Sequence, residues 1–267
     1  DAISVPRVRA KRLTTDLWAR AFTLAAAAGG TFLSGFSVTL NNHTIAAFCA
    51  FFAFYPAMLI WMDNRKDWWL FALAGFFASL SAVFELPALA LVTALFFGLA
   101  WKDWPRTLIF FASLALIPVL AHCSTTYQVT GSLMPAYGEK DWYVFEGSYW
   151  KVDPSSGRLV GSSKDRKTGE LVVGDPKGID NQYEPAYVYL FHMLLGHHGV
   201  FSLSPIFILS AIGVARVMRS RDSSWIPIAT CTAGLTALLI VFYTVAPAFG
   251  MGQRNYGGMC NGMRWLF

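Results

Sequence analysis

Residues 192–198, "HMLLGHH", gather three of the chain's five histidines, His192, His197 and His198, where a long polar stretch gives way to an apolar run. An imidazole at that boundary can hold a phosphate oxygen or shuttle a proton. Gly196 and Gly199 would let the backbone bend tightly beside it. Ordinary interfacial histidine is the plainer reading. The spacing His-x-x-x-x-His-His also resembles a zinc set, yet no neighbouring carboxylate or cysteine completes a tetrahedron, so neither a metal nor another cofactor is expected. A second candidate is "GMGQRNYGGMCNGMR", residues 250–264, where Arg254 and Arg264 are the only basic residues among several glycines. A guanidinium is well shaped for phosphate, and glycine backbone approaches a ligand closely; snorkelling arginine is the alternative. A third is "LNNHT", in which Asn41, Asn42 and His43 offer hydrogen-bonding side chains suited to a polyol. Glu85 in "ELP" is either a functional carboxylate or a cap for the helix that starts near Pro87. Tyr137 belongs to an aromatic frame that would suit a sugar or lipid headgroup.

The elements that must position these residues follow from composition. Of 267 residues, 55% are hydrophobic and 14% charged, with a mean hydropathy of +0.45, too apolar for a soluble domain of this length. Apolar stretches recur at 21–40, 44–61, 68–84, 87–101, 106–122, 200–217 and 225–246, long enough or nearly so to cross a bilayer. The expected fold class is an all-α polytopic membrane protein of about seven transmembrane helices. The formal charge of +5 does not point to nucleic acid. Lys and Arg crowd the N-terminal segment (Arg7, Arg9, Lys11, Arg12, Arg20) and alternate short loops (Arg65 and Lys66; Lys102 and Arg106; Arg216, Arg219 and Arg221), whereas the turns at 41–43 and 85–86 carry none. That positive-inside pattern places the N-terminus and the basic loops in the cytoplasm. It also divides 68–101 into a hairpin of two short spans, because a single span would put two basic loops on opposite faces.

Three regions result: 1–122, a cytoplasmic segment and five spans; 123–199, an extracytoplasmic loop; and 200–267, two spans and a glycine-rich outer loop. Both ends of the chain read as cut from a longer protein. The loop contains an internal echo, "DPSSGRLVG" at 153–161 and "DRKTGELVVG" at 165–174, which predicts two tight turns and a small β-hairpin region. Aromatic residues flank it, Tyr127, Tyr137, Trp142, Tyr143, Phe145, Tyr149 and Trp150 before and Tyr183, Tyr187, Tyr189 and Phe191 after, as an interfacial belt or a binding platform. Cys49, Cys123, Cys231 and Cys260 lack metal-binding spacing; Cys123 and Cys260 fall near the outer face and could pair. No phosphate loop, nucleophile elbow or HExxH motif is present.

Taken in order, "FSVTLNNHTIAAFCAFFAFY", "ASLSAVFELPAL", "YQVTGSLMPAY", "GVFSLSPIFILSAIG" and "NYGGMCNGMRWLF" resemble the polytopic glycosyltransferases of the GT-C superfamily. The likeness is to bacterial relatives of protein mannosyltransferases and aminoarabinose transferases, and it covers most of residues 21–267. It implies transfer of a sugar from a polyprenyl-phosphate donor to an unknown acceptor at the extracytoplasmic face, with inversion, in the bacterial inner membrane. It further implies donor-phosphate contacts from Arg264 and Arg254, with His197 and His198 standing where relatives more often carry Arg-Gly. Asn41, Asn42, His43, Glu85 and Tyr137 are the expected substrate contacts. The family's acidic residue in the first outer loop has no counterpart here, and Asn41-Asn42-His43 stands where an acidic residue is common. The competing reading is a transporter or flippase, disfavoured by the few charges within the spans, the large outer loop and the lack of broken helices in corresponding halves.

Overall fold

A computed structural model describes residues 16–31, 35, 37, 38, 41–133, 144–146, 150–152, 154, 155, 159–164, 171–173, 185–220 and 224–245. The described chain is mostly helical. Helix α1, Leu17–Gly29, starts where the Asp16 carboxylate accepts the Trp18 and Ala19 N–H groups, and it buries no residue. Helix α2, Asn42–Met62, is capped by Asn41, and α3, Trp68–Phe84, follows the short loop that carries the Arg65–Asp67 ion pair. The backbone is extended at Glu85, turns once through a 3-10 segment at Leu86–Ala88 that contains Pro87, and continues as α4, Leu89–Lys102.

Helix α5 runs from Trp104 to Thr130 as one 27-residue apolar rod, about 40 Å long, with a π-helical stretch at Thr107–Ala112. It ends at Gly131, whose φ of 72° closes the C-cap. Cys123–Thr130 thus continue the helix for eight residues past the apolar stretch 106–122. Past it, β1 (Trp150–Val152), β2 (Leu159–Lys164) and β3 (Leu171–Val173) pair antiparallel in that order, with Trp150 opposite Gly161 and Ser162 opposite Val173. The chain returns through α6, Ala186–Leu194, and the single turn α7, Val200–Leu203. Next come α8, Ile206–Arg219, and α9, Ile226–Val245.

Three helices, α2, α5 and α9, are long and apolar enough to span a membrane; α3 and the Leu86–Lys102 segment are shorter apolar helices. The stretch 200–217, expected as one span, is interrupted. Ser204 leaves the helical region at φ −134° and ψ 76°, because the Pro205 ring crowds the residue before it and offers no N–H. The 14 residues of α8 then reach only about 21 Å, less than a hydrocarbon core.

Helix α3 is the centre of the packing. Leu70, Phe71, Ala74 and Ala78 are buried with Ala53, Ala57 and Ile60 of α2, Leu95 and Leu99 of α4 and Phe111 of α5. In lipid, helices gain little from burying apolar surface against one another, so small residues and interhelical hydrogen bonds carry the association. Both are present. A Cβ at Gly75 would collide with the Phe111 backbone, so only glycine lets α3 and the π-helical stretch come this close. Ser79 Oγ donates to Ala115 O at 2.6 Å, and Ser81 Oγ donates to Ala46 O at 2.9 Å. By contrast α9 buries only Ala229, leaving apolar side chains such as Leu238, Val241 and Phe242 outward, as suits a lipid solvent.

The helices give the assembly two chemically different ends. Trp61 at the end of α2, Gly98 near the end of α4 and Pro227 at the start of α9 line one groove, so the loops with Arg65, Lys66, Lys102 and Arg106 gather at the end where α9 begins. Helix α8 delivers Arg216 and Arg219 there too, ending seven residues before Ile226. At the other end of α9, Ile240 and Tyr243 pack against a buried cluster of Tyr189, Met193 and Val200, next to the three histidines. The start of α2 and the end of α3 meet at that same far end.

Candidate functional site

Two polar clusters occupy the end opposite the basic loops. The first is assembled by the antiparallel packing of α2 on α3, which sets Ser81 against Ala46 and so brings residue 85 to the start of α2. Asn41 Oδ1 accepts the Thr44 N–H at 2.9 Å and the Thr44 hydroxyl at 3.1 Å, a helix N-cap. Of the expected substrate contacts, Asn41 is thus engaged in capping its own helix. Asn42 turns the other way: Nδ2 donates to Glu85 Oε1 at 2.6 Å and to Phe84 O at 2.9 Å. His43 Nδ1 pairs with the same Glu85 oxygen. The side chains of His43 and Glu85 are 15% and 14% exposed, so the pair is largely withdrawn from solvent yet still reachable.

The chemistry of this cluster follows from its geometry. Placing a carboxylate at the edge of an apolar bundle is costly unless it is paired, and here Asn42 donates to it and the His43 imidazole stands against it. Glu85 is held from two sides, while its own N–H donates to Ser81 O at 2.9 Å and closes α3. The set can accept hydroxyl protons through the carboxylate and donate through the amide, the requirement for holding a sugar or other polyol. Asn42 also satisfies a carbonyl at the open end of α3, one of the groups every helix terminus leaves without an internal partner, so the cluster locks two helix ends together as well.

The second cluster is the histidine turn. His192 lies in the last turn of α6, and the chain reverses through Gly196 and Gly199 so that His197 Nδ1 approaches His192 Nδ1 to 3.0 Å. One of those nitrogens must carry the hydrogen and the other accept it. The His197 ring centroid lies 4.8 Å from that of His192, edge-on, and 4.1 Å from that of His198, tilted, and His198 is buried at 8% exposure. Both glycines are required by space: a side chain at Gly196 would run into the His192 ring, and one at Gly199 would meet Gly196 O and Leu194 O at 2.8 Å. Ser202 Oγ fixes the turn by donating to Gly196 O at 2.7 Å. The adjacent histidines fenced by glycine are thus one compact cluster of imidazoles in edge-on and tilted contact. Among the described residues no group of three or more His, Cys, Asp and Glu side chains is arranged to hold a metal ion.

Of the residues singled out in the sequence, Asn42, His43 and Glu85 come together across 42 positions of chain, and His197 and His198 come together with His192. Tyr137, Arg254 and Arg264 lie outside the described residues, as does Cys260; Cys49, Cys123 and Cys231 are free thiols. Sequence reasoning missed the polar groups inside the bundle. Thr107, buried where the π-helical stretch begins, donates to Asp103 O at 2.8 Å, and Ser79 and Ser81 stitch α3 to α5 and α2. Their signal was the presence of serine and threonine within otherwise apolar helices. No protein-family model, no curated protein and no solved structure matches the chain.

Proposed function

We propose that the protein is a polytopic membrane glycosyltransferase, of the kind the GT-C resemblance implies, that moves a sugar from a polyprenyl-phosphate donor to an acceptor at the extracytoplasmic face. The observation that carries this reading is the convergence of Asn42 and His43 on Glu85: a carboxylate and its partners, held at the edge of an apolar bundle and at the end opposite the basic loops. In this reading the basic end faces the cytoplasm, following the positive-inside rule. The long apolar helices α2, α5 and α9 cross a bacterial inner membrane, and the polar segment after α5 lies outside. Asn42, His43, Glu85 and Tyr137 bind sugar or acceptor hydroxyls. Arg264 and Arg254, with the imidazoles of His197 and His198, stabilise the departing polyprenyl phosphate.

The rival reading, a transporter or flippase for a lipid-linked or small polar substrate, gains one specific observation: the helix break at Ser204–Pro205, since broken helices mark transporter sites. The test uses the protein in lipid vesicles with a radiolabelled polyprenyl-phosphate sugar. Wild type is compared with Glu85→Gln, Arg264→Ala and a His197→Ala/His198→Ala double variant. The enzyme reading expects transfer by wild type, loss of donor binding in the arginine and histidine variants, and loss of turnover with donor binding retained in Glu85→Gln. If wild type neither binds nor consumes any such donor, the glycosyltransferase reading fails.

A further inference from the structure

At the basic end, between α2, α4 and α9, lies an open groove of about 100 Å³. Phe54, Met58 and Trp61 of α2, Leu95 and Gly98 of α4, and Cys231 of α9 line it. The space beside Gly98 is open, since a Cβ there would meet only Trp61 Nε1, at 3.6 Å. One turn further along α4, and so on the same face, Lys102 extends its ammonium over the Trp61 ring, 5.6 Å from the centroid. The groove is therefore an apolar slot with a cation at its mouth.

The neighbouring cations are differently engaged. Arg65 is bonded to Asp67 and Arg106 to Asp103, whereas Lys102 rests on an aromatic face and has no carboxylate partner among the described residues. The described loops at this end carry six cations, Arg65, Lys66, Lys102, Arg106, Arg216 and Arg219, against three carboxylates, Asp63, Asp67 and Asp103. A small soluble anion would gain nothing from the slot's apolar wall, and a zwitterionic lipid would bring Lys102 no net charge.

We propose that this groove binds one acyl chain of an anionic glycerophospholipid from the leaflet at the basic end, with the lipid phosphate on Lys102. The wall accepts the chain, and the lysine stem carries its charge to headgroup depth. The site lies at the opposite end from the Glu85 cluster and stands or falls independently of the sugar-transfer reading.

The Cys231 thiol is a reporter within the groove. The full chain in detergent is titrated with phosphatidylglycerol or with phosphatidylcholine of the same acyl chains, and alkylation of Cys231 by N-ethylmaleimide is followed by peptide mass spectrometry, with Cys123 as reference. Phosphatidylglycerol is expected to protect Cys231 at lower concentration than phosphatidylcholine. Lys102→Gln, an exposed substitution that leaves the packing alone, should weaken the phosphatidylglycerol effect about fivefold and leave phosphatidylcholine unchanged. Gly98→Leu, which fills the slot, should abolish protection by either lipid. Equal protection by the two lipids, indifference to Lys102→Gln, or protection by glycerol phosphate alone would each overturn the proposal.

Discussion

Replacing Gly75 by alanine tests the close packing of α3, the central helix of the bundle, on α5. A Cβ at that position would stand 2.8 Å from the Cα and carbonyl carbon of Phe111, and closer still to its oxygen, where ordinary contact begins at 3.4 Å. These are backbone atoms of a neighbouring helix, so no rotamer change relieves the clash, and α3 and α5 must part by about 0.6 Å or more, an overpacking that costs about 1–3 kcal/mol. The displacement also stretches the hydrogen bond from Ser79 to Ala115 O, 2.6 Å long and worth about 1 kcal/mol. Alanine's better helix propensity returns up to about 1 kcal/mol, leaving a net loss of about 1–3 kcal/mol. Gly98→Ala is the control, with its nearest neighbour Trp61 Nε1 at 3.6 Å, and so is Gly213→Ala, where nothing lies within 4 Å; both are expected to be neutral or slightly stabilising. Reversible unfolding in mixed micelles, by titrating a denaturing detergent against circular dichroism and tryptophan fluorescence, reads all three. A Gly75→Ala midpoint indistinguishable from those of the other two variants would refute the close approach of α3 to α5.

Further expectations concern the polar groups. Asn42→Ala and Glu85→Gln should each destabilise the protein, and a double-mutant cycle between them should show coupling of about 1 kcal/mol; strict additivity would mean the 2.6 Å contact contributes nothing. Partial burial pushes the Asp103 carboxyl upward, but the Arg106 backbone N–H, the Arg106 guanidinium and the charge of Lys66 outweigh it and hold the group below the usual carboxylate range. Because the folded value is the lower one, this contribution is complete above the ordinary carboxylate value of about 4 and is lost as pH falls through the folded value. Asp103→Asn should therefore flatten the acid limb of stability measured from pH 6 downward. Gly196→Ala should separate His192 from His197, visible as altered imidazole C–H resonances of both residues; unchanged spectra would show that the turn does not need the glycine.

Much of the architecture was legible because it rests on local rules. Runs of apolar residues specify helices wherever backbone groups must be satisfied without water. The break after Phe84 needed only Glu85-Leu86-Pro87. The interruption at Ser204–Pro205 was equally local, yet the continuous apolar run masked the proline. The apolar stretch 106–122 also stops short of the end of α5, since polar residues from Ser124 to Thr130 can continue a helix beyond an apolar core as readily as end it.

By itself the sequence determined that this is an apolar, helical chain with its cations segregated into alternate loops, and it determined which side chains had the types needed for polar chemistry. Only the tertiary structure decided which of those met. Asn42 and Glu85 are joined because α3 packs antiparallel on α2, with Ser81 bonded to Ala46 O. Lys102 reaches Trp61 because α4 lies beside α2. Such contacts depend on which face each helix turns inward, and in helices that are apolar all round, hydrophobic periodicity does not encode that choice; small residues and single hydrogen bonds do, and their partners lie dozens of residues away.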